Sequence, residues 1–176
     1  MKWSRSIRAT AAVLIAASIA SPSFSSSSSS SSKSSFEGVW IGFITQPGGP
    51  HERYILRVEI RLEGTKIVGK SRIEIPGTTW YGEMPIEGDL VGDTVRYTEG
   101  WMVAENIPSE FAWCMKKATL QLIPTTDTLS SDSLIGPWNS PPCMPGEIRL
   151  GRAPGVPMTP DTGISDGRFH PDSGKK

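Results

Sequence analysis

Few residues of this chain are of a type that does acid–base, nucleophilic or metal chemistry. The two histidines are His51, in a proline- and glycine-rich turn, and His170, near the C-terminus, and neither segment positions a general base well. Two distant histidines also do not supply the three or four ligands of a zinc site. The Gly-x-Ser-x-Gly pattern occurs at 163–167, in the C-terminal tail and not between a predicted strand and a helix as a nucleophile elbow requires. No glycine-rich phosphate loop leading into a helix is present. The sequence therefore predicts no catalytic residue, no metal site and no cofactor.

Glu99 is the one acidic residue that strand alternation directs inward, on the same face as Val95 and Tyr97. An unpaired buried carboxylate is costly, so we expect Glu99 to be paired, solvated or neutral. Lys116 has the inward parity of its own segment and is a candidate partner. Glu99 is then either a polar group of a ligand pocket or a residue at an open rim, where the alternation fades. An enzyme would need carboxylate-based or loop-based chemistry, with Glu99 as the inward acid.

Tryptophan is the other residue type that points to a site, because aromatic side chains line both cores and ligand pockets. Trp101 and Trp113 flank the longest connection of the chain, residues 102–112, and long loops often act as lids. We therefore place a candidate ligand-binding mouth at this connection. Its expected residues are Trp80, Tyr97, Glu99, Trp101 and Trp113.

The elements that position these residues are predicted to be β-strands. Residues 54–62 alternate strictly between apolar and polar side chains, which is typical of an antiparallel strand with one face in a core. Closure of such strands into a barrel removes exposed edges. The fold expected is all-β, an antiparallel meander of about eight strands closed as a small up-and-down barrel. The predicted strands are 36–46, 54–62, 66–75, 79–87, 94–101, 112–123, 133–138 and 146–152.

Glycine and proline mark the predicted turns and irregularities. Turns are expected at 47–50, Glu63-Gly64, Pro76-Gly77, Glu87-Gly88 and Pro145-Gly146. Pro137 has no backbone N–H to donate to a neighbouring strand. Its strand is therefore expected to contain a β-bulge or to lie at a seam of the sheet. Small residues within the strands leave space for a ligand or permit close packing, and the sequence leaves both open. These residues are Gly38, Gly42, Gly69, Gly82, Ala118 and Gly136.

The composition of its segments divides the chain into four parts. Lys2, Arg5 and Arg8 precede a ten-residue apolar stretch at 11–20, which predicts a signal peptide at 1–20, with an uncleaved anchor as the alternative. Residues 21–35 form a serine-rich linker, 36–152 the β-barrel domain, and 153–176 a proline- and glycine-rich tail expected to be disordered. The protein is therefore expected to be exported, to a periplasm, a cell surface or the medium.

Charge and cysteine content exclude some classes of partner. Without the three basic residues of the predicted signal peptide, the chain has 15 basic and 18 acidic residues. It has no stripe of basic residues, so nucleic acid is not an expected partner. The sequence contains no apolar run of about 20 residues, so it predicts no membrane span. Cys114 and Cys143 are expected to form a disulfide in an exported protein, and two buried free thiols are the alternative.

Gly38-Val39-Trp40, at the start of the first predicted strand, resembles the Gly-x-Trp signature of lipocalins and the wider calycin group. The resemblance implies a barrel in which Trp40 closes the base and an arginine of the last strand packs across it. Arg152 has the parity and position for that role, so Gly38, Trp40 and Arg152 are expected to be structural. The chain lacks the helix that follows the barrel in lipocalins and the biotin-site pattern of avidins.

These observations favour an exported, non-catalytic β-barrel that binds a small apolar molecule or a glycan. The alternative is a secreted or envelope protein-interaction module, such as a protease inhibitor, and a filled barrel interior with exposed tryptophan would favour it. An enzyme based on Glu99 is the third hypothesis.

Overall fold

The computed structural model describes residues 35–126 and 131–159, which contain nine β-strands. The predicted signal peptide and all but the last residue of the serine-rich linker lie outside the described residues. Within these two ranges no helix is long and apolar enough to cross a membrane. The strands are β1 (Gly38–Thr45), β2 (Arg53–Glu63), β3 (Lys66–Glu74), β4 (Tyr81–Val91), β5 (Thr94–Glu99), β6 (Ala104–Asn106), β7 (Lys117–Ile123), β8 (Ser133–Ser140) and β9 (Cys143–Arg152).

Eight of these strands form a closed antiparallel barrel. β1 pairs with β2 on one side and with β9 on the other, so the first and last strands meet. β3 pairs with β4, β5 pairs with β7, and the circuit closes without a free edge. The ninth strand, β6, adds to β4 just beyond the end of β5. The predicted all-β up-and-down barrel is confirmed.

Strand alternation determines which side chains fill the barrel. In β2, Tyr54, Leu56 and Val58 are at most 3 % exposed, while Arg57 between them lies on the outer face. Burial of one such side chain stabilises the fold by roughly 1.5–3 kcal/mol. The lower and middle parts of the barrel are filled by its own side chains. The largest fully buried apolar ones are Trp40, Phe36, Ile44, Leu56, Ile60, Ile67, Met84, Ile86, Leu120, Leu134 and Ile148.

Trp40 closes the lower end of the barrel, where β1 begins and β9 ends. Its indole is fully buried, and its Nε1 donates a hydrogen bond of 2.9 Å to the carbonyl oxygen of Phe36. Arg152 is its register partner on β9 and holds its Cζ 5.3 Å from the centroid of the Trp40 ring, within cation–π distance. Gly38 has a φ of 125°, which favours glycine at this position. The three residues expected to be structural therefore lie together at this end.

The predicted turn at Glu87-Gly88 is wrong, because β4 continues to Val91 and turns at Gly92, whose φ is 59°. Gly88 lies inside the strand, where it faces the neighbouring β5 backbone. A Cβ at this position would lie 1.9 Å from the carbonyl oxygen of Arg96, which no flexible group can relieve. The glycine therefore marks a close approach of two strands rather than a turn.

Two further boundaries differ from the predicted ones. β9 begins at Cys143, so Pro145-Gly146 lies within a strand, and the turn is made by Pro141-Pro142, which are joined by a cis peptide bond. β7 begins at Lys117 rather than at residue 112, because the segment before it leaves the sheet. Close approach to Thr45 explains Gly146, since a Cβ there would lie 1.8 Å from that residue's carbonyl oxygen.

The sheet is irregular around Pro137, which has no backbone N–H to donate to a neighbouring strand. The ladder between β7 and β8 pairs Ala118 with Trp138 and resumes only at Gln121 with Ile135. On the other side, the register between β8 and β9 shifts between Trp138 and Ser140. The predicted irregularity in this strand is therefore present.

The chain after β9 folds back onto the outer face of β2. Thr159 donates hydrogen bonds to both carboxylate oxygens of Glu59, and Arg57 donates one to the carbonyl oxygen of Pro157. Burial alone would raise the pKa of Glu59, but the hydrogen bonds from Thr159 and Arg57 lower it overall. Residues 153–159 of the predicted disordered tail therefore cover one face of the barrel, and 160–176 lie outside the described residues.

Candidate functional site

The end of the barrel opposite Trp40, which we call the mouth, is formed by four connections. These are residues 46–52 between β1 and β2, 75–80 between β3 and β4, 107–116 between β6 and β7, and 141–142 between β8 and β9. The third is the longest, and we call it the lid segment. Its side chains contact β2, β4 and β9, so it crosses the opening of the barrel.

A chain of aromatic rings holds the lid segment on the barrel. The Trp113 ring lies 5.1 Å from the Phe111 ring and 6.1 Å from the Tyr54 ring of β2, both in edge-to-face geometry. Phe111 in turn lies 6.1 Å from Trp80, which precedes β4. Each such pair contributes roughly 0.5–1.5 kcal/mol beyond the burial of its area. The lid is therefore anchored to two sides of the mouth by aromatic packing.

Gly82 of β4 provides the space that Trp113 occupies. A Cβ at position 82 would lie 2.7 Å from both Cδ1 and Nε1 of that indole. The sequence left open whether the small residues of the strands leave space for a ligand or permit close packing. At Gly82 the space is filled by the lid, and at Gly42, Gly69 and Gly136 a Cβ would meet a neighbouring backbone carbonyl at 1.9–2.1 Å.

A disulfide ties the lid segment to the opposite wall. Cys114 of the lid is bonded to Cys143, the first residue of β9, with a Cα–Cα distance of 6.3 Å and a sequence separation of 29. The predicted pairing is confirmed. Because Trp113 is adjacent to Cys114, the covalent bond also holds the indole in place above the barrel interior.

A cavity of about 270 Å³ lies between the lid segment and the barrel wall. It is partly open to solvent. Its inner wall is apolar and aromatic, with Lys116 at the floor and Gln46 and Glu110 towards the outside. The lining residues are Ile44, Gln46, Pro50, Tyr54, Ile73, Glu110, Phe111, Ala112, Trp113, Cys114, Lys116, Trp138 and Cys143.

A buried ion pair joins Lys116 of the cavity lining to Glu99, which lies behind it. Lys116 Nζ lies 2.8 Å from Glu99 Oε2, and the two side chains are 1 % and 0 % exposed. The other carboxylate oxygen of Glu99 accepts a hydrogen bond of 2.6 Å from Ser71 Oγ of β3, which lies on the other side of β4 in the sheet. The backbone N–H of Lys116 also donates to Glu99, at 2.8 Å. The paired state is therefore the one that the structure shows for Glu99, which is neither at a solvated rim nor unpartnered.

Two buried donors near this ion pair have no hydrogen-bond partner among the described residues: Tyr97 Oη and Trp113 Nε1. Burial, together with the negative charge of Glu99, raises the pKa of Tyr97 well above its ordinary value, so the phenol stays protonated as a donor. An unsatisfied buried donor is costly, at roughly 1–3 kcal/mol.

The five residues predicted to form the mouth do not all share one surface. Trp113 lines the cavity, and Trp80 supports Phe111 from outside it. Glu99 lies behind Lys116, and Tyr97 lies deeper on the same strand, 3 % exposed. Trp101 is 68 % exposed, in the connection between β5 and β6, and does not line the cavity.

Sequence reasoning did not identify Phe111, Tyr54 or Trp138 as cavity residues. Tyr54 and Trp138 lie in the predicted strands 54–62 and 133–138, and both are buried. Their second role depends on where the lid segment crosses, and no local pattern encodes that. The signal available for Phe111 was its position inside a long connection, two residues before a tryptophan.

Comparison with protein-family models, with curated proteins and with solved structures finds no significant match to this chain. The described residues also contain no group of three or more histidine, cysteine or acidic side chains that could hold a metal ion. The class that the fold and the site define is therefore a small disulfide-containing β-barrel with a lidded cavity at one end.

Proposed function

We propose that the protein is an exported, non-catalytic binding module that holds a small, largely apolar molecule at the mouth of its barrel. The observation that carries this proposal is the cavity of about 270 Å³ under the lid segment. It is slightly smaller than the pockets of roughly 300–1,000 Å³ that hold drug-sized ligands. The ligand is correspondingly compact.

The composition of the cavity wall favours an apolar ligand over a glycan. A sugar needs several hydrogen-bonding side chains. Besides the Tyr54 hydroxyl and two indole N–H groups, the described lining offers Gln46, Glu110 and Lys116. Lys116 is already engaged with Glu99. Aromatic side chains, by contrast, occur on the lid and on two barrel strands, as expected for a site that buries apolar surface.

Truncation of Trp113 tests the proposal. Trp113→Ala removes the ring that covers the cavity, so a molecule that co-purifies with the wild type should be lost, or bound at least about tenfold more weakly. The matched control is Trp101→Ala, which makes the same change at an exposed position away from the cavity. Native mass spectrometry of protein recovered from the exported fraction without denaturation would measure the bound mass.

Each result has a definite meaning. A bound small-molecule mass that disappears in Trp113→Ala and persists in Trp101→Ala supports the proposal. A clean apo mass in the wild type, together with no binding of small apolar probes, contradicts it.

A protein-interaction module is the second candidate, and exposed apolar side chains favour it. Trp101 is 68 % and Val103 61 % exposed in the connection between β5 and β6, and the lower barrel is filled. Tryptophan is enriched among residues that dominate protein interfaces. On this alternative the two variants exchange roles: Trp101→Ala weakens capture of a partner protein, and Trp113→Ala does not.

A further inference from the structure

The lid segment is held on two sides of the mouth by interactions of different kinds. On one side, the Trp113 ring packs edge-to-face against Tyr54 of β2. On the other side, the disulfide joins Cys114 of the lid to Cys143 of β9. Cleavage of the disulfide would therefore free the lid from β9 while the aromatic contacts remain.

The disulfide is also part of the cavity wall. Cys114 and Cys143 both line the cavity, together with Trp138 of β8 and Ile44 of β1. Because the bond connects the lid to the barrel at this point, it closes the cavity on the side of β9. Its loss would open this wall without any change in the pairing of the strands.

The position of the bond favours its reduction in the folded protein. Both cysteines are partly exposed, and the cavity that they line is partly open to solvent. Thiol–disulfide exchange requires a thiolate to reach one of the two sulfur atoms, so its rate depends on access. A disulfide inside the filled lower barrel would be reduced only after unfolding, whereas this one lies at the open end.

Reduction of the bond is a balanced exchange with an external dithiol. One thiolate of the dithiol attacks a sulfur of the protein and displaces the other sulfur as a thiolate, and the second thiol then resolves the mixed disulfide. The protein's S–S bond breaks and that of the reductant forms. Two electrons and two protons pass from the dithiol to Cys114 and Cys143, which become thiols.

We propose that this disulfide controls ligand release: with the bond intact the lid retains a molecule in the cavity, and reduction by a dithiol frees the lid and lets the molecule leave. The inference rests on the proposed function, because it names the regulation of the same cavity. Linkage makes the control reciprocal, so a bound molecule must make the disulfide harder to reduce by the same factor.

Two compact apolar probes, naphthalene and toluene, test the coupling in both directions. Dissociation constants from NMR titration should be about tenfold higher after reduction with dithiothreitol than with the disulfide intact, a factor that is usual for coupled sites. In mixtures of reduced and oxidised dithiothreitol, saturating naphthalene should lower the equilibrium constant for reduction of the protein by the same factor. A tenfold change corresponds to a shift of about 30 mV for this two-electron couple.

A variant without the bond is the matched control for the reductant. Cys114→Ser with Cys143→Ser should bind both probes as weakly as the reduced wild type does, with or without dithiothreitol. Circular dichroism would check that the reduced protein and this variant keep the β-barrel.

A second control separates opening of the lid from unfolding of the barrel. Gly88→Ala is expected to destabilise the whole fold, and Gly88 does not line the cavity. If the disulfide is reduced in the folded protein, limiting dithiothreitol should reduce Gly88→Ala and the wild type at equal rates. A rate that rises in proportion to the loss of global stability would show that reduction requires unfolding, and would overturn the inference.

The remaining outcomes separate this inference from the proposed function. If both probes bind equally well with and without the bond, the disulfide does not control release, although the cavity remains a ligand site. If the reduced protein loses the β-barrel, the bond stabilises the whole fold and the inference is wrong. If neither probe binds the protein with its disulfide intact, the proposed function fails and the inference fails with it.

Discussion

Glu99 illustrates what one residue's position in a strand can and cannot predict. Parity with Val95 and Tyr97 was sufficient to expect the carboxylate to point inward and to suggest Lys116 as its partner. The hydrogen bond from Ser71 could not be expected from parity, because it depends on the registers by which β4 pairs with both β3 and β5. Local alternation thus predicts burial, whereas the full set of partners is a property of the assembled sheet.

The ion pair of Glu99 and Lys116 leads to a prediction about stability. Because both side chains are at most 1 % exposed, Lys116→Met leaves a buried carboxylate without its counter-charge, and Glu99→Gln leaves a buried ammonium. Each single variant should lower the free energy of unfolding by about 3–5 kcal/mol, and the double variant should recover most of that loss. Urea denaturation of all four proteins measures the cycle. Losses below about 1 kcal/mol in both single variants would show that the pair is solvated.

At the scale of elements, strand identity follows closely from the sequence, but strand ends depend on neighbours. The alternation of β2 predicted its bounds to within a residue, since one face is fully buried. Gly88 and Gly146 had been assigned to turns, yet both lie within strands where a neighbouring backbone comes too close for a Cβ. A single sequence does not distinguish a turn glycine from one at a close strand approach. The start of β7 was misplaced because the lid segment also alternates.

Gly88 provides a test of the close approach. Gly88→Ala places a Cβ 1.9 Å from the carbonyl oxygen of Arg96, so β4 and β5 must separate and lose ladder hydrogen bonds. We expect a loss of about 2–4 kcal/mol in the free energy of unfolding. Gly151→Ala in β9 is the matched control, because the nearest atom there is the side-chain oxygen of Ser131 at 3.4 Å. Thermal and urea denaturation would compare them, and an equal effect of both variants would contradict the prediction.

At the scale of the whole molecule, the two ends of the barrel are closed by different means. At the lower end, Phe36, Trp40 and Arg152 form part of the sheet itself or lie directly beneath it. At the mouth, the lid segment lies outside the sheet and depends on aromatic contacts and one covalent bond. The lower end should therefore open only on global unfolding, whereas the mouth can open locally. A cavity under a locally opening segment gives a ligand a way in without disruption of the barrel.

Removal of the disulfide tests this difference between the ends. The chain-entropy model assigns about 3.5 kcal/mol to a bond that closes a loop of 29 residues. Cys114→Ala with Cys143→Ala should therefore lower the free energy of unfolding by about that amount. Loss of the disulfide should also increase local opening of the lid segment more than it destabilises the rest of the fold. In the lid, the Phe111 N–H donates to the carbonyl oxygen of Pro108, and the Lys116 N–H donates to the Glu99 carboxylate.

Hydrogen exchange of individual amides would separate the local effect from the global one. The Ala153 N–H, which donates to Val39 at the lower end, should lose protection only in proportion to the global loss of stability. The lid amides should exchange faster than that, because the aromatic contacts alone no longer hold the segment closed. Equal loss of protection at both ends would mean that the lid unfolds only together with the barrel. The disulfide would then stabilise the whole fold without controlling access to the cavity.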